Sequence, residues 1–142
     1  MKKITLADFD DSFYKTIPGH EEARVEKSGV YYTILVDGVK AGIVGYLPGA
    51  STKEVYFVQI AIAPEFRGTG LVGIAEDLLA SKHELPALTA TVDKSNVASL
   101  KAHLKAGFQE IDSAKLASMR EQGFLKEGQT RLVKTTHTGF KV

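Results

Sequence analysis

The sequence contains no cysteine, which excludes disulfides, thiolate metal ligands and a cysteine nucleophile. Its four histidines are scattered, so no metal site is expected. No apolar run approaches the roughly 20 residues of a membrane span, and residues 1–10 lack the apolar core of a secretion signal. The formal net charge of +1 gives no electrostatic basis for binding nucleic acid or a membrane. We therefore expect a cytoplasmic protein that acts on a small partner.

The chain of 142 residues, 44% of them hydrophobic, is predicted to form a single domain over residues 1–142. Apolar and β-branched segments predict strands, and Asp37-Gly38 predicts the turn of a hairpin. The segment 10–27 predicts one or two helices interrupted at Pro18, and the polar insertion 113–129 has room for a short helix. The other predicted helices cover 71–80 and 96–106, and the predicted strands cover 4–9, 30–36, 39–47, 54–63, 87–92, 108–111 and 130–135.

The most informative segment is VQIAIAPEFRGTGLVG, residues 58–73, in which an apolar strand leads through a short loop to glycines that open a helix. The first amides of a helix have no partner within it, and the helix dipole favours negative charge there. Amides of Gly68, Thr69, Gly70 and Leu71 are therefore predicted to bind a phosphate or diphosphate, with Arg67 adding positive charge.

The spacing of Gly68, Gly70 and Gly73, followed by Asp93, also matches the G-x-G-x-x-G fingerprint of dinucleotide-binding folds. In that fold the first glycine follows its strand almost directly. Here four residues, Pro64 to Arg67, intervene, and too little chain follows Asp93 for a second nucleotide-binding half. This alternative is therefore disfavoured.

A different match covers more of the chain. The run from Ile60 through Pro64 to Gly70 follows the pattern Arg/Gln-x-x-Gly-x-Gly/Ala after a strand that ends in proline, and Asn96 to Gly107-Phe108 forms a second motif at the expected separation. With these motifs, the sequence resembles the GNAT superfamily of acyl-CoA-dependent N-acyltransferases over about residues 4–135. One departure is Val72, which stands where the family usually has glycine or alanine, with Gly73 one place later.

The resemblance implies an α+β GNAT fold: a mixed, mainly antiparallel sheet of six or seven strands, flanked by about four helices. It implies that the pantetheine arm of acetyl-CoA lies where two strands splay apart and pairs with main chain, as an added strand would. The cofactor-binding residues implied in this way are Ile60, Ala61, Ile62, Ala63, Arg67, Gly68, Thr69, Gly70, Leu71, Val72, Gly73, Asn96 and Ser99.

Helical spacing places Asn96, Ser99 and His103 on one side of the second motif, beside a predicted apolar stripe of Val97, Leu100 and Leu104. Asn96 is equally well explained as a helix N-cap. His103 stands where GNAT enzymes commonly have a tyrosine that protonates the leaving thiolate. An imidazole could serve as this acid, or could simply hydrogen-bond at a helix end.

The amine acceptor must lose a proton before it attacks, and the candidate bases are Glu54 and Tyr56 on the long strand and Asp93 at the end of the next, although a solvated strand end (Glu54) and a turn residue (Asp93) are the simpler interpretations. Direct attack on the thioester is the leading mechanism. The resemblance implies an acceptor site near the first helices and the late insertion, and residues there are Phe13, Tyr14, His20, Glu21, Glu22, Leu116, Met119 and Phe124. The sequence does not identify the amine. Exposed sheet edges are compatible with a homodimer.

Two functions follow from these features. The first is an N-acetyltransferase that moves an acetyl group from acetyl-CoA to a primary amine. The alternative is a GNAT-fold domain that binds acyl-CoA or a partner protein without catalysing transfer, which the departures at Val72 and His103 keep open.

Overall fold

The structure, a computed structural model, describes residues 2–49 and 55–136. Within them the elements are, in chain order, β1 (Ile4–Asp8), α1 (Asp11–Tyr14), a 3₁₀ turn (His20–Glu22), β2 (Val30–Val36), β3 (Val39–Pro48), β4 (Tyr56–Ile62), a second 3₁₀ turn (Pro64–Phe66), α2 (Leu71–His83), β5 (Ala87–Asp93), α3 (Val97–Lys105), β6 (Gln109–Glu110), α4 (Ser113–Glu121) and β7 (Gln129–Thr135). Each predicted element has a counterpart here.

The described strands form one sheet of seven in the order β1-β2-β3-β4-β5-β7-β6. Neighbours pair antiparallel except β4 and β5, which run parallel and meet only at Phe57 opposite Thr89. Beyond that point no main-chain pairing joins the two strands, and they diverge. The predicted mixed, mainly antiparallel sheet with splayed central strands is confirmed.

The hairpin between β2 and β3 follows from its turn residues. Asp37 and Gly38 both have positive φ, 50° and 81°. A two-residue hairpin loop with both central residues in this region matches the twist of its strands. Val36 therefore lies opposite Val39 as predicted, and β3 in turn lies along the full length of β4.

Helices cover both faces of the sheet. On one face α2 and α3 pack side by side over a core that includes Ile34, Val44, Leu79 and Leu88. On the other face α1 and the 3₁₀ turn cover β3, where a smaller cluster of Tyr14, Ile17, Ala23 and Ile43 is buried.

The apolar stripe predicted for the second motif, which is α3, is partly wrong. Val97 and Leu104 of α3 are 52% and 49% exposed, and Ile74 of α2 is also 45% exposed. Two polar residues are buried instead, Glu76 at 1% and His103 at 3% exposure. The reason is that α2 and α3 contact each other as well as the sheet, so each helix buries a second face that its apolar residues do not mark.

Tyr14 holds the covering segment in place. Its side chain is buried, and its hydroxyl donates to the carbonyl oxygens of His20 (3.0 Å) and Ala23 (2.9 Å). This side chain is therefore part of the packing in the described structure, whereas the sequence offered it as a residue of the acceptor region.

We expect Tyr14→Phe to lower the free energy of unfolding by about 1–3 kcal/mol, because the substitution leaves buried carbonyl groups without their donor. Urea unfolding followed by circular dichroism measures this change. Ser12→Ala, at an exposed position on the same helix, is the control and should stay within about 0.5 kcal/mol of the wild type. Equal stability of the two variants would contradict the structural role of the hydroxyl.

Candidate active site

The divergence of β4 and β5 opens a groove of about 610 Å³. It is bounded by the far half of β4, the glycine loop before α2, and the first turns of α3. Twelve of the site residues predicted from the sequence line it: Ile60, Ala61, Ile62, Arg67, Gly68, Gly70, Leu71, Val72, Gly73, Asn96, Ser99 and His103.

Four other predicted residues, Tyr56, Ala63, Thr69 and Glu54, do not line it. The hydroxyl of Thr69 donates to the carbonyl oxygen of Phe66 at 2.7 Å. Tyr56 is the first residue of β4, at the end away from the groove, where its ring packs edge-on against Tyr46 at 5.6 Å between centroids. Ala63 follows the strand, and its amide is used in the sheet. Glu54 lies outside the described residues. Of the two candidate bases that the structure describes, Asp93 lines the groove and Tyr56 does not.

The glycine loop presents unpaired amides to the groove. Gly68 and Gly70 have φ of 74° and 80°, a region that other residues rarely adopt, and no atom lies within 4 Å of where a Cβ would be. Within the described residues the amides of Gly68, Thr69 and Gly70 have no hydrogen-bond acceptor. The first-turn amides of α2 follow directly, so the loop and the helix together form a positively polarised, open surface.

Arg67 ties this loop to its surroundings. Its Nε donates to the carbonyl oxygen of Ile62 and a terminal nitrogen donates to the carbonyl oxygen of Pro18, both at 2.9 Å. The guanidinium thus links the end of β4 to the segment that covers the opposite face of the sheet. Because its acceptors are neutral carbonyls, its charge stays uncompensated beside the glycine loop.

The main chain of β4 alternates between its neighbours. Ala63 donates to Ala41 of β3 at 2.8 Å, and the carbonyl of Ala61 also lies against β3. By the two-residue period of a strand, the main-chain groups of Ile60 and Ile62 face the gap toward β5. Of the four strand residues predicted to pair with a ligand, these two have main-chain groups that face the groove.

The shifted glycine has a packing role. A Cβ built on Gly73 would lie 3.0 Å from the Cβ of Ala106, so this glycine lets α2 approach α3 closely. Val72, which occupies the family's usual glycine position, is half-buried and packs against the main core. The departure from the motif therefore accompanies a close contact between the two helices.

Asn96 caps α3 and lines the groove. Its side-chain oxygen accepts from the amide of Ser99 at 3.2 Å, which confirms the helix N-cap. Its side-chain nitrogen donates to Glu22 Oε2 at 2.7 Å. This second bond joins the start of α3 to the covering segment, and both residues line the groove.

His103 is buried and bonded at both ring nitrogens. Nε2 lies 2.8 Å from Oε2 of Glu76 on α2, and Nδ1 lies 2.9 Å from the carbonyl oxygen of Ser99. Phe108 closes the far side of the ring in an edge-on contact. Neither ring nitrogen is left free for a ligand, which an acid acting directly on a thiolate would need.

Glu76 is the site residue that sequence reasoning missed. A signal was present, since Glu76 lies three and four residues before the buried Leu79 and Ala80 and so borders the apolar face of α2. Burial raises the pKa of the Glu76 carboxyl, while the His103 hydrogen bond opposes the rise. Burial lowers the pKa of His103, but the hydrogen bond and charge of Glu76 outweigh it, and the net shift is upward.

Two further observations concern the described residues. No group of three or more metal-ligating side chains is clustered within residues 2–49 and 55–136. None of the described helices has the length and apolar character required to cross a bilayer.

The comparisons agree with this geometry. The sequence profile of the Acetyltransferase (GNAT) family matches residues 3–108. A comparison with curated proteins finds no match. Among solved structures, the N-acetyltransferase PseH of Campylobacter jejuni in complex with acetyl coenzyme A is similar at 14% identity, with a TM-score of 0.61 over 95% of this chain and 99% of that one.

Two more solved structures show the same architecture. The GNAT domain of PAT from S. lividans has 14% identity and a TM-score of 0.64, covering 94% of this chain and 90% of that one. An F149G mutant of the spermidine N-acetyltransferase SpeG from Vibrio cholerae has 15% identity and a TM-score of 0.65, covering 93% of each. At these identities the likeness concerns the fold.

Because the family profile spans most of the sequence, the chain belongs to the GNAT acetyltransferase family. The fold, the split sheet and the glycine loop are those of this class.

Proposed function

We propose that this protein is an N-acetyltransferase that transfers an acetyl group from acetyl-CoA to a primary amine by direct attack on the thioester. The observation that carries the proposal is the continuity of one groove from the unpaired glycine-loop amides to the gap between β4 and β5. The similar PseH structure has acetyl-CoA bound, which supports the choice of donor.

The residues of the groove suit such a donor. The amides from Gly68 to Gly70, with the start of α2, would hold the diphosphate, since the open space around both glycines lets an anion approach the main chain. The groove-facing main chain of Ile60 would pair with the amides of the pantetheine arm, whereas the carbonyl of Ile62 already accepts from Arg67. Bound acetyl-CoA supplies the activated acetyl group; the chain supplies its placement.

The chain's contribution to transfer is then mainly orientation and charge stabilisation. An amine with a lysine-like pKa is neutral about once in 10³ molecules at pH 7, a deficit of roughly 4 kcal/mol that a base, water or desolvation must offset. We assign the Ile62 amide, which faces the gap, as the donor that stabilises the oxyanion. We assign no base, because Tyr56 lies at the far end of its strand and Asp93, although it lines the groove, begins the turn from β5 into α3.

A second function has one observation in its favour. His103, the residue at the family's usual acid position, has both nitrogens bonded to protein groups. A GNAT-fold domain that binds acyl-CoA without turnover needs no acid, so this alternative predicts coenzyme A binding with no amine-dependent reaction.

The test is a thiol-release assay with acetyl-CoA across polyamines, amino acid derivatives, peptide amino termini and protein lysines, together with calorimetry of coenzyme A binding. We expect binding and, with at least one amine class, release of free coenzyme A well above hydrolysis. Binding without release by any amine would favour the non-catalytic function. Absence of binding would overturn both.

A further inference from the structure

The interface between α2 and α3 is a line of close contacts beneath the groove. Gly73 of α2 lies against Ala106 of α3, and one turn further along α2 Glu76 bonds to His103. His103 also bonds to the carbonyl of Ser99, one turn nearer the start of α3. The glycine loop opens the first helix and Asn96 opens the second, so this line connects the two sides of the groove.

The hydrogen-bonding pattern fixes the proton content of the pair. A carbonyl oxygen only accepts, so Nδ1 of His103 carries a proton that it donates to Ser99. One further proton lies between Nε2 and Oε2 of Glu76, whichever atom holds it. Oε1 of Glu76 is buried and has no partner among the described residues. The pair is therefore self-contained, with no proton directed into the groove.

Such a pair is poorly explained as a device for stability alone. A well-packed apolar pair of similar volume is often as stabilising as a buried ion pair, or more so. A hydrogen bond between two fully buried groups does have a defined length and direction, which apolar contacts lack. Its distinctive effect here is to set how far α3 stands from the helix that begins at the glycine loop.

We infer that Glu76 and His103 are positioning residues for the acyl-CoA groove, which hold the glycine loop of α2 at a fixed distance from Asn96 and Ser99 of α3. His103 acts on the groove through the main chain of Ser99, and it is not the acid of the reaction. This inference rests on the proposed binding of acetyl-CoA and adds the residues that shape its site.

The test measures coenzyme A affinity by calorimetry and kcat at saturating acetyl-CoA for four variants. In Glu76→Ala the tie is lost, and we expect the Kd to rise about tenfold or more, because a small displacement of binding groups is costly. Glu76→Gln can still donate an amide hydrogen to Nε2, so it should restore the Kd to within about threefold of the wild type. Glu76→Leu keeps the side-chain volume without the hydrogen bond, so its Kd should also rise about tenfold or more. It keeps the test possible if the alanine variant does not fold.

The matched control is Leu79→Val, a fully buried position on the same helix that does not line the groove. It should lower stability and leave the Kd unchanged, which separates loss of position from loss of stability. Wild-type affinity in both Glu76→Ala and Glu76→Leu would overturn the inference and leave the proposed function standing. An unchanged Kd with a kcat about 100-fold lower in these variants would also overturn the inference, because that pattern indicates the loss of a group that takes part in the chemistry. A wild-type protein that binds no coenzyme A would overturn the function first, and the inference with it.

Discussion

Gly70→Val is expected to weaken coenzyme A binding by about 10-fold to 100-fold, since one charge-assisted hydrogen bond is worth about 1.5–3 kcal/mol. Gly70 has a φ of 80°, and a β-branched side chain is strongly disfavoured there. The variant must either keep the strain or rotate the backbone, and rotation turns the amide away from the groove. Calorimetric titration with coenzyme A measures the loss.

Backbone strain alone would also lower stability, so the experiment needs a glycine of the same conformation away from the groove. Gly123, just after α4, has a φ of 79° and, like Gly70, no neighbouring atom where a Cβ would be. Gly123→Val should cost a similar amount of stability, about 1–3 kcal/mol, and leave the affinity unchanged. Equal affinities of the two variants would show that the glycine loop does not hold the diphosphate.

The elements of this fold could be predicted from sequence because their signals are local. Asp37-Gly38 specifies a hairpin turn, and Pro64 ends the long strand β4. Asn96 caps α3 through its own side chain. Each of these effects acts within a few residues, so the local sequence alone is enough to predict the turn, the strand end and the helix cap.

The glycine loop could likewise be located from sequence, and the structure places its predicted residues around one groove. What the sequence did not specify is where Arg67 would point. Its guanidinium bonds to Pro18, 49 positions away, because the covering segment reaches the end of β4 in the folded chain. A partner at that separation has no local signature.

The same reason explains why the sequence left two roles open for His103, an acid or a hydrogen bond at a helix end. Its position in the motif was correct, but its burial depends on a carboxylate of another helix, Glu76, which lies 27 residues earlier. Helical periodicity describes which residues share a face, and it does not state what that face meets. Val97 and Leu104 were misplaced for the same reason, since α3 turns His103 rather than its apolar residues toward α2.

The buried pair should give the protein an unusual dependence of stability on pH. The pKa values of Glu76 and His103 are both raised above their ordinary values of 4.5 and 6.5. Above pH 6.5 the unfolded chain has lost the proton that the folded pair retains, so the folded state binds more protons. Stability from the pair is therefore present below pH 6.5 and falls as the pH rises through the folded pKa of His103, by up to about 1.4 kcal/mol per pH unit.

Glu76→Gln should reverse this slope. Without the carboxylate, burial dominates and lowers the pKa of His103, so the folded state now prefers the neutral imidazole. Stability should then rise as the pH increases toward about 6.5, where the unfolded histidine loses its proton, and level off above it. Lys134 on β7 and Asp77 on α2 also act on the pKa of Glu76, but in opposite directions and less than burial and His103 do.

Urea unfolding at intervals from pH 5.5 to about 8.5 measures both curves, and the difference between them isolates the pair. His83, whose pKa is lowered by burial, is present in both proteins and contributes equally to the two curves. Parallel curves for the wild type and Glu76→Gln would mean that no proton is shared between Glu76 and His103. Curves of opposite slope would show that the folded protein holds a proton between Glu76 on α2 and His103 on α3, as the inferred pair requires.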